Sequence, residues 1–242
     1  LVARGAQFEH LREHGLTYAR PAGTETLPLN VAAEAAVRLQ PDDVLLLTVK
    51  TQDVSAAVNH WADVAVTGGG VGADLPIVTL QNGLEAERVV ARRFAHVYAA
   101  SILVPAVFVK TGTVTVPSAP QLASVVIGRF PAGRDTLSAR ITADLTLANS
   151  LAEEREDIVR WKTAKLLHNV RNALELFSGD QARIAFAADE VAKEAKAILQ
   201  AAGQDPARPE ERRVDISGWK LVRELFDTPM GQSTWQSFTR GA

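Results

Sequence analysis

Two largely apolar runs, residues 44–49 and 77–80, each lead into a stretch with hydrophobic positions three and four apart, 54–66 and 85–94. Short apolar runs are strand-like and the spacing after them is helical, so the order reads βαβα and predicts a mostly parallel sheet. The alternation begins earlier, with a short strand at 1–3, an amphipathic helix at 7–14 and a strand at 16–20. Further strands are predicted at 97–100, 103–109, 112–116 and 124–127, the later ones close enough in sequence to be antiparallel additions. Past Arg134 the pattern changes, and 135–147, 158–177, 182–202 and 214–226 all carry helical spacing. The expectation is an α/β domain over residues 1–152 followed by an all-helical domain over 153–242, with the boundary in the polar stretch 149–157. Residues 203–213, GQDPARPEERR, combine proline with charge and predict an exposed loop.

The chemistry that stands out lies on the predicted helix RWKTAKLLHNVRNAL, residues 160–174. Lys165 and Asn169 are four apart and share a face, Asn172 follows three later, and Leu166, Val170, Leu174 and Phe177 form a separate apolar stripe that can face a core. A cation and amides on one ridge can hold a polar substrate; the same spacing also fits an ordinary solvated helix face. Ligands of open parallel sheets bind beyond the carboxyl ends of the strands, and here the run 44–49 ends in Lys50 and the run 77–80 in Gln81, Asn82 and Gly83. Asn82 and Gly83 also suit a plain turn, and Lys50 a solvated strand end.

The glycines at 68–70 and 72 follow a helix and precede a strand, the reverse of a dinucleotide loop, and read as a surface connection. His10 and His14 have the spacing of paired ligands but no third partner, so no metal site is expected. Ser101 and Ser233 lack the glycine-flanked elbow of a hydrolase nucleophile.

Composition narrows the class further. The 242 residues can bury one large core or two modest ones, and 47% of them are hydrophobic. A net charge of −2 gives no electrostatic reason to expect a nucleic acid or an anionic membrane as partner. No apolar run approaches the roughly 20 residues needed to span a bilayer, and a cytoplasmic location is the default expectation. Zero cysteines exclude disulfides and thiolate chemistry. The apolar helices of the second domain could support a homodimer.

Five segments, LVARG at 1–5, LLLTVKTQD at 45–53, LQNG at 80–83, KLLHN at 165–169 and STWQS at 233–237, stand in an order and spacing that resembles the ketopantoate reductase family over nearly the whole chain. The resemblance implies a Rossmann-type domain followed by a helical one, and NADPH-dependent reduction of 2-dehydropantoate to pantoate, a step of pantothenate biosynthesis. By the same resemblance Lys165 is the catalytic lysine and general acid, and Asn169 and Ser233 bind substrate. Asn82 lies at the cofactor and substrate cleft, Lys50 near the cofactor, and Arg4 where the 2′-phosphate of NADP is read. Three departures accompany it. The chain begins at the family's second strand, without the first strand and its glycine-rich turn, so the Rossmann unit is expected to be incomplete at its start. It stops before an acidic residue that assists the lysine. Met230 stands where the family has a substrate-binding asparagine. These departures motivate two alternatives: an NADP-dependent reductase of another 2-oxo acid, and a truncated, non-catalytic binding or oligomerisation protein.

Overall fold

A computed structural model describes residues 1–222 and 233–241. The chain opens with helix α1 (Gly5–His14), strands β1 (Leu16–Arg20) and β2 (Gly23–Leu27), then β3 (Leu45–Leu47), helix α2 (Val54–Ala62), β4 (Pro76–Thr79), α3 (Ala86–Val90) and β5 (His96–Leu103). Strands β6 (Thr113–Thr115), β7 (Ser118–Ala119) and β8 (Ala123–Arg129) lead to α4 (Thr136–Leu147), β9 (Ser150–Glu154), α5 (Ile158–Asn169) and α6 (Gln181–Ala201). The short β10 (Lys220–Leu221) and helix α7 (Ser233–Thr239) complete the described elements.

The main sheet has the order β3-β4-β5-β8-β9. Strands β3, β4 and β5 are parallel, with Leu47 beside Thr79 and Thr79 beside Ala99; β8 runs antiparallel to β5 and β9 parallel to β8. Two helical crossovers account for the parallel half. Strand alternation then divides the side chains between two layers. Ile77 and Val97 pack with Val54, Val58, Ala86 and Val90 under α2 and α3, while Ala99 and Val126 meet Ile158 and Trp161 of α5. On the opposite face Val78, Tyr98, Ala100, Val125 and Ile127 pack with Ile141 of α4. The architecture is a Rossmann-type α/β sheet followed by helical segments. A second sheet, β2-β1-β6, carries the N-terminal region, and β10 pairs with β7.

Helix α5 approaches the sheet closely because β8 carries Gly128, where a Cβ would sit 2.0 Å from the Arg155 carbonyl oxygen and 3.1 Å from Ile158 Cβ. The guanidinium groups of Arg155 and Arg212 lie 4.7 Å and 5.3 Å from the Trp161 ring centroid, anchoring the first turns of α5 by cation–π contact.

Several segments differ from the sequence expectation. Residues 1–3 form no strand, Val2 making only an isolated bridge to Ala32, and the helix expected over 158–177 ends at Asn169, followed by a 3₁₀ turn at Asn172–Leu176. Residues 97–100 and the start of 103–109 form one strand, β5, and beyond it Val107 makes only an isolated bridge to Thr115. The polar stretch 150–154 is the edge strand β9. Its Glu153 is buried, accepting the backbone N–H groups of Arg213 and Val214, so its polarity marks hydrogen bonding rather than solvation. No helix forms over 214–222: Asp215 accepts the Ser217 N–H, Trp219 donates Nε1 to the Gln121 carbonyl, and β10 joins β7. The remainder of that expected helix, with Met230, lies outside the described residues. The 203–213 loop is mostly exposed but pinned, since Arg160 pairs with Asp205 and Glu211 and Ala207 is buried against α5.

The N-terminus of α4 provides a direct test of local folding. Asp135 caps it, accepting the Leu137 and Ser138 N–H groups at 3.1 Å and 2.9 Å and the Tyr98 hydroxyl at 2.8 Å. Asp135→Ala should lower stability by about 1–2 kcal/mol in urea denaturation, with an unchanged m-value.

Candidate active site

Three segments meet beyond the carboxyl ends of β3, β4 and β5. The turn after β4 contributes Gln81, Asn82 and Gly83; the end of β5 contributes Ala100, Ser101 and Ile102; α5 contributes Lys162 and Lys165. Together they line a shallow depression that is open to solvent. Gly83 has φ +87°, a left-handed conformation that only glycine adopts without strain, and this lets the turn double back toward α3. Gln81 fixes the other side of the turn, donating Nε2 to the Leu47 and Val49 carbonyls at 2.8 Å and 2.9 Å. Its Oε1 is buried and has no hydrogen-bond partner.

The two lysines of the cleft are one helical turn apart and differ in their surroundings. Lys162 is 3% exposed and lies 2.6 Å from Oε1 of Glu87, itself 1% exposed; it also donates to the Gln81 carbonyl at 2.7 Å. Thr79 donates its hydroxyl to the same Glu87 oxygen at 2.6 Å. A buried charge is tolerated when it is paired and hydrogen-bonded, and here the pair joins α3, β4 and α5. Lys165 is half-buried and forms no ion pair among the described residues. Burial pushes its pKa down to about 8, because the ammonium loses solvation without gaining a counter-charge. His168, on the next turn, is pushed down by burial, by Lys165 and by Arg171.

Of the residues singled out from the sequence, the structure brings Asn82 and Lys165 together in this cleft. Asn169 closes α5 four residues beyond Lys165, and Asn172 is buried in the following 3₁₀ turn. Lys50 does not line the cleft; its ammonium donates to the Ser237 hydroxyl at 2.7 Å, and burial followed by the nearby Arg240 lowers its pKa. Ser237 donates in turn to the Ser233 carbonyl at 2.9 Å, so Lys50 is tied to the helix that carries Ser233. Gln236 secures that helix to the segment after β5, donating to the Ala106 carbonyl and accepting from the Phe108 N–H, each at 3.2 Å. Arg4 stands apart, exposed before α1 and 3.9 Å from Glu34. Phe177 is 65% exposed, and the face that α5 buries is Ile158, Trp161, Lys162 and Thr163 rather than the stripe from Leu166. Lys162 and Glu87 were not read from the sequence as site residues. Their signal was a lysine three positions before Lys165 and an acidic residue shortly after the Gln-Asn-Gly turn, both indistinguishable from surface charges until β4 brings them together.

A Rossmann-type sheet whose parallel strands open onto a lysine-bearing helix defines the class as α/β, with the candidate site at the strand ends. Residues 1–132 match the family model described as ketopantoate reductase PanE/ApbA, and the chain belongs to that family. A curated relative, the 2-dehydropantoate 2-reductase of Pyrococcus horikoshii, is 25% identical over 169 residues, which are 70% of this chain and 52% of the relative. The chain thus spans about half the length of that relative. Among solved structures, the 2-dehydropantoate 2-reductase from Methylococcus capsulatus superposes with a TM-score of 0.67 at 20% identity, covering 99% of this chain and 75% of that one. A D-mandelate dehydrogenase in ternary complex with NADH and anilino(oxo)acetate superposes with a TM-score of 0.70 at 16% identity, covering 87% and 68%. At these identities the superpositions establish the shared fold.

Removing one member of a buried ion pair leaves the other uncompensated, which generally costs about 3–5 kcal/mol. Lys162→Met should therefore destabilise the chain by about 3 kcal/mol in chemical denaturation, and adding Glu87→Gln should recover most of that loss.

Proposed function

We propose that this chain forms the cofactor and substrate cleft of an NADPH-dependent reductase that converts 2-dehydropantoate to pantoate, with Lys165 as the proton donor. The observation that carries the reading is Lys165 itself: a half-buried ammonium, unpaired among the described residues, with its pKa lowered to about 8, in a cleft beyond parallel strand ends and opposite Asn82. A nicotinamide cofactor fits this donor set, because the buried and unpartnered Gln81 Oε1 suits a carboxamide N–H. When bound, the cofactor supplies the hydride that adds to the ketone carbon. As the carbonyl oxygen gathers negative charge, the Lys165 ammonium stabilises it and transfers a proton to it, completing the alcohol and leaving a neutral amine. Asn82 holds the ligand at the turn, and Asn169 and Ser233 complete the substrate pocket from α5 and α7. Lys50, linked through Ser237 to α7, couples the cofactor side to the substrate side. The exposed guanidinium of Arg4 suits the 2′-phosphate of NADP.

A second reading keeps this chemistry on another 2-oxo acid. It is favoured by the fold shared with a D-mandelate dehydrogenase bound to NADH and anilino(oxo)acetate, and by Met230 in place of the family's asparagine.

Oxidation of NADPH with 2-dehydropantoate and with a panel of other 2-oxo acids separates the two. Lys165→Ala should lower kcat for the preferred acid by about 100-fold or more. A proton donor must be protonated, so kcat for reduction should be level below pH 8 and fall through a pKa of about 8, while the reverse oxidation should rise through the same value. A variant with the wild-type rate, or a reduction profile flat to pH 10, overturns the role of Lys165. Absence of thermal stabilisation by either dinucleotide favours a non-catalytic binding protein.

A further inference from the structure

Two ammonium groups line the cleft, one buried carboxylate lies behind it, and the geometry allocates them unequally. Glu87 is enclosed on α3, and its Oε1 receives both the Thr79 hydroxyl and the Lys162 ammonium at 2.6 Å. Lys162 is held from a second side by the Gln81 carbonyl at 2.7 Å, so its position is set by α3 and the cleft turn together. Lys165, one turn further along the same helix, lines the same cleft without an ion pair among the described residues. His168, on the next turn, interacts with Lys165 electrostatically, Lys162 lines the same cleft one turn before it, and Glu87 is reached through Lys162; the lowered pKa of Lys165 itself comes from burial. The segments facing it, residues 81–83 and 100–102, carry no charged or titratable group. Glu175, on the 3₁₀ turn that follows α5, is engaged with the Trp235 N–H at 3.0 Å.

We infer that Glu87 and Lys162 are a positioning pair for Lys165: Lys162 saturates the only buried carboxylate behind the described cleft, and Lys165 is thereby left unpaired and directed at the ligand. This rests on the reductase reading only for the purpose it gives to Lys165; the allocation of charge stands on geometry alone. Without Lys162, the Glu87 carboxylate becomes the nearest counter-charge for Lys165 and holds its proton. Without Glu87, Lys162 is an uncompensated neighbouring cation and expels that proton. Without both, Lys165 returns to a neutral apolar setting. A merely structural role for the pair predicts no such reversal of sign.

The test is an NMR pH titration of ε-¹³C-labelled lysine in the full 242-residue chain, with the Lys165 resonance assigned by its loss in Lys165→Arg. In the wild type Lys165 should titrate near 8. Lys162→Met should raise that value by about one unit, Glu87→Gln should lower it by about one unit, and the double variant should return to within a few tenths of the wild type. Near-UV circular dichroism verifies folding; if Lys162→Met does not fold, the downward shift in Glu87→Gln and its reversal in the double variant decide the matter. Shifts of the same sign in both single variants, or no shift in any, overturn the proposal. In turnover, the alkaline limb of kcat should follow the same order. The predicted shifts in a chain that reduces no 2-oxo acid would uphold the charge allocation and overturn the reductase reading.

Discussion

Glu87 and Lys162 are each almost wholly removed from water, and neither charge is tolerable there without the other. Their contact is the constraint on which the site depends. It ties α3 to α5 directly, takes in β4 through Thr79, and reaches the turn after β4 through the Gln81 carbonyl. The sheet brings these groups within reach because Thr79 follows Ile77 on the face that α3 and α5 cover, and Gly128 lets α5 lie close against that face. Hydrophobic packing sets the layers, and one polar contact fixes how the helix with the second lysine meets the strand ends.

A consequence is a division of labour between residues a single turn apart. Lys162 has a carboxylate and a carbonyl; Lys165 has desolvation without compensation, and its proton is accordingly labile near neutral pH. A cation in that condition suits a carbonyl oxygen that becomes negative as it is reduced, because binding and proton release then favour the same reaction coordinate. Helix α7 adds a second layer: Gln236 fastens it to the segment after β5, and Lys50 reaches it from the end of β3. The C-terminal helix is thereby held to the sheet rather than only to the other helices.

Much of this was legible in the sequence, and the exceptions share a cause. Periodicity located α1, β1, β4, α4 and α6 to within a few residues because their apolar positions report burial directly. It missed β9, whose Glu153 is buried among backbone donors, and predicted a helix at 214–226, in whose described part, 214–222, Asp215, Trp219 and β10 bond to nearby or distant chain instead. The candidate site divided in the same way. Asn82 and Lys165 were identifiable from strand-end placement and helical spacing, together with the family resemblance. Glu87 and Lys162 were not, because a buried ion pair is written in the same letters as a solvated one. The family match over residues 1–132 places Asn82 and Glu87 within the recognised region, whereas Lys162 and Lys165 lie beyond it and depend on the geometry.

Delivery of a proton from the Lys165 ammonium to the carbonyl oxygen of a 2-oxo acid is open to chemical rescue. In Lys165→Ala, the rate of hydride transfer to the preferred acid is measured at saturating NADPH with increasing concentrations of small primary alkylammonium ions. The rate should recover with alkylammonium concentration and depend on the acidity of the ion added, as a proton donor requires. A folded variant that binds NADPH and the acid yet shows no recovery with any of these ions would contradict proton delivery by Lys165.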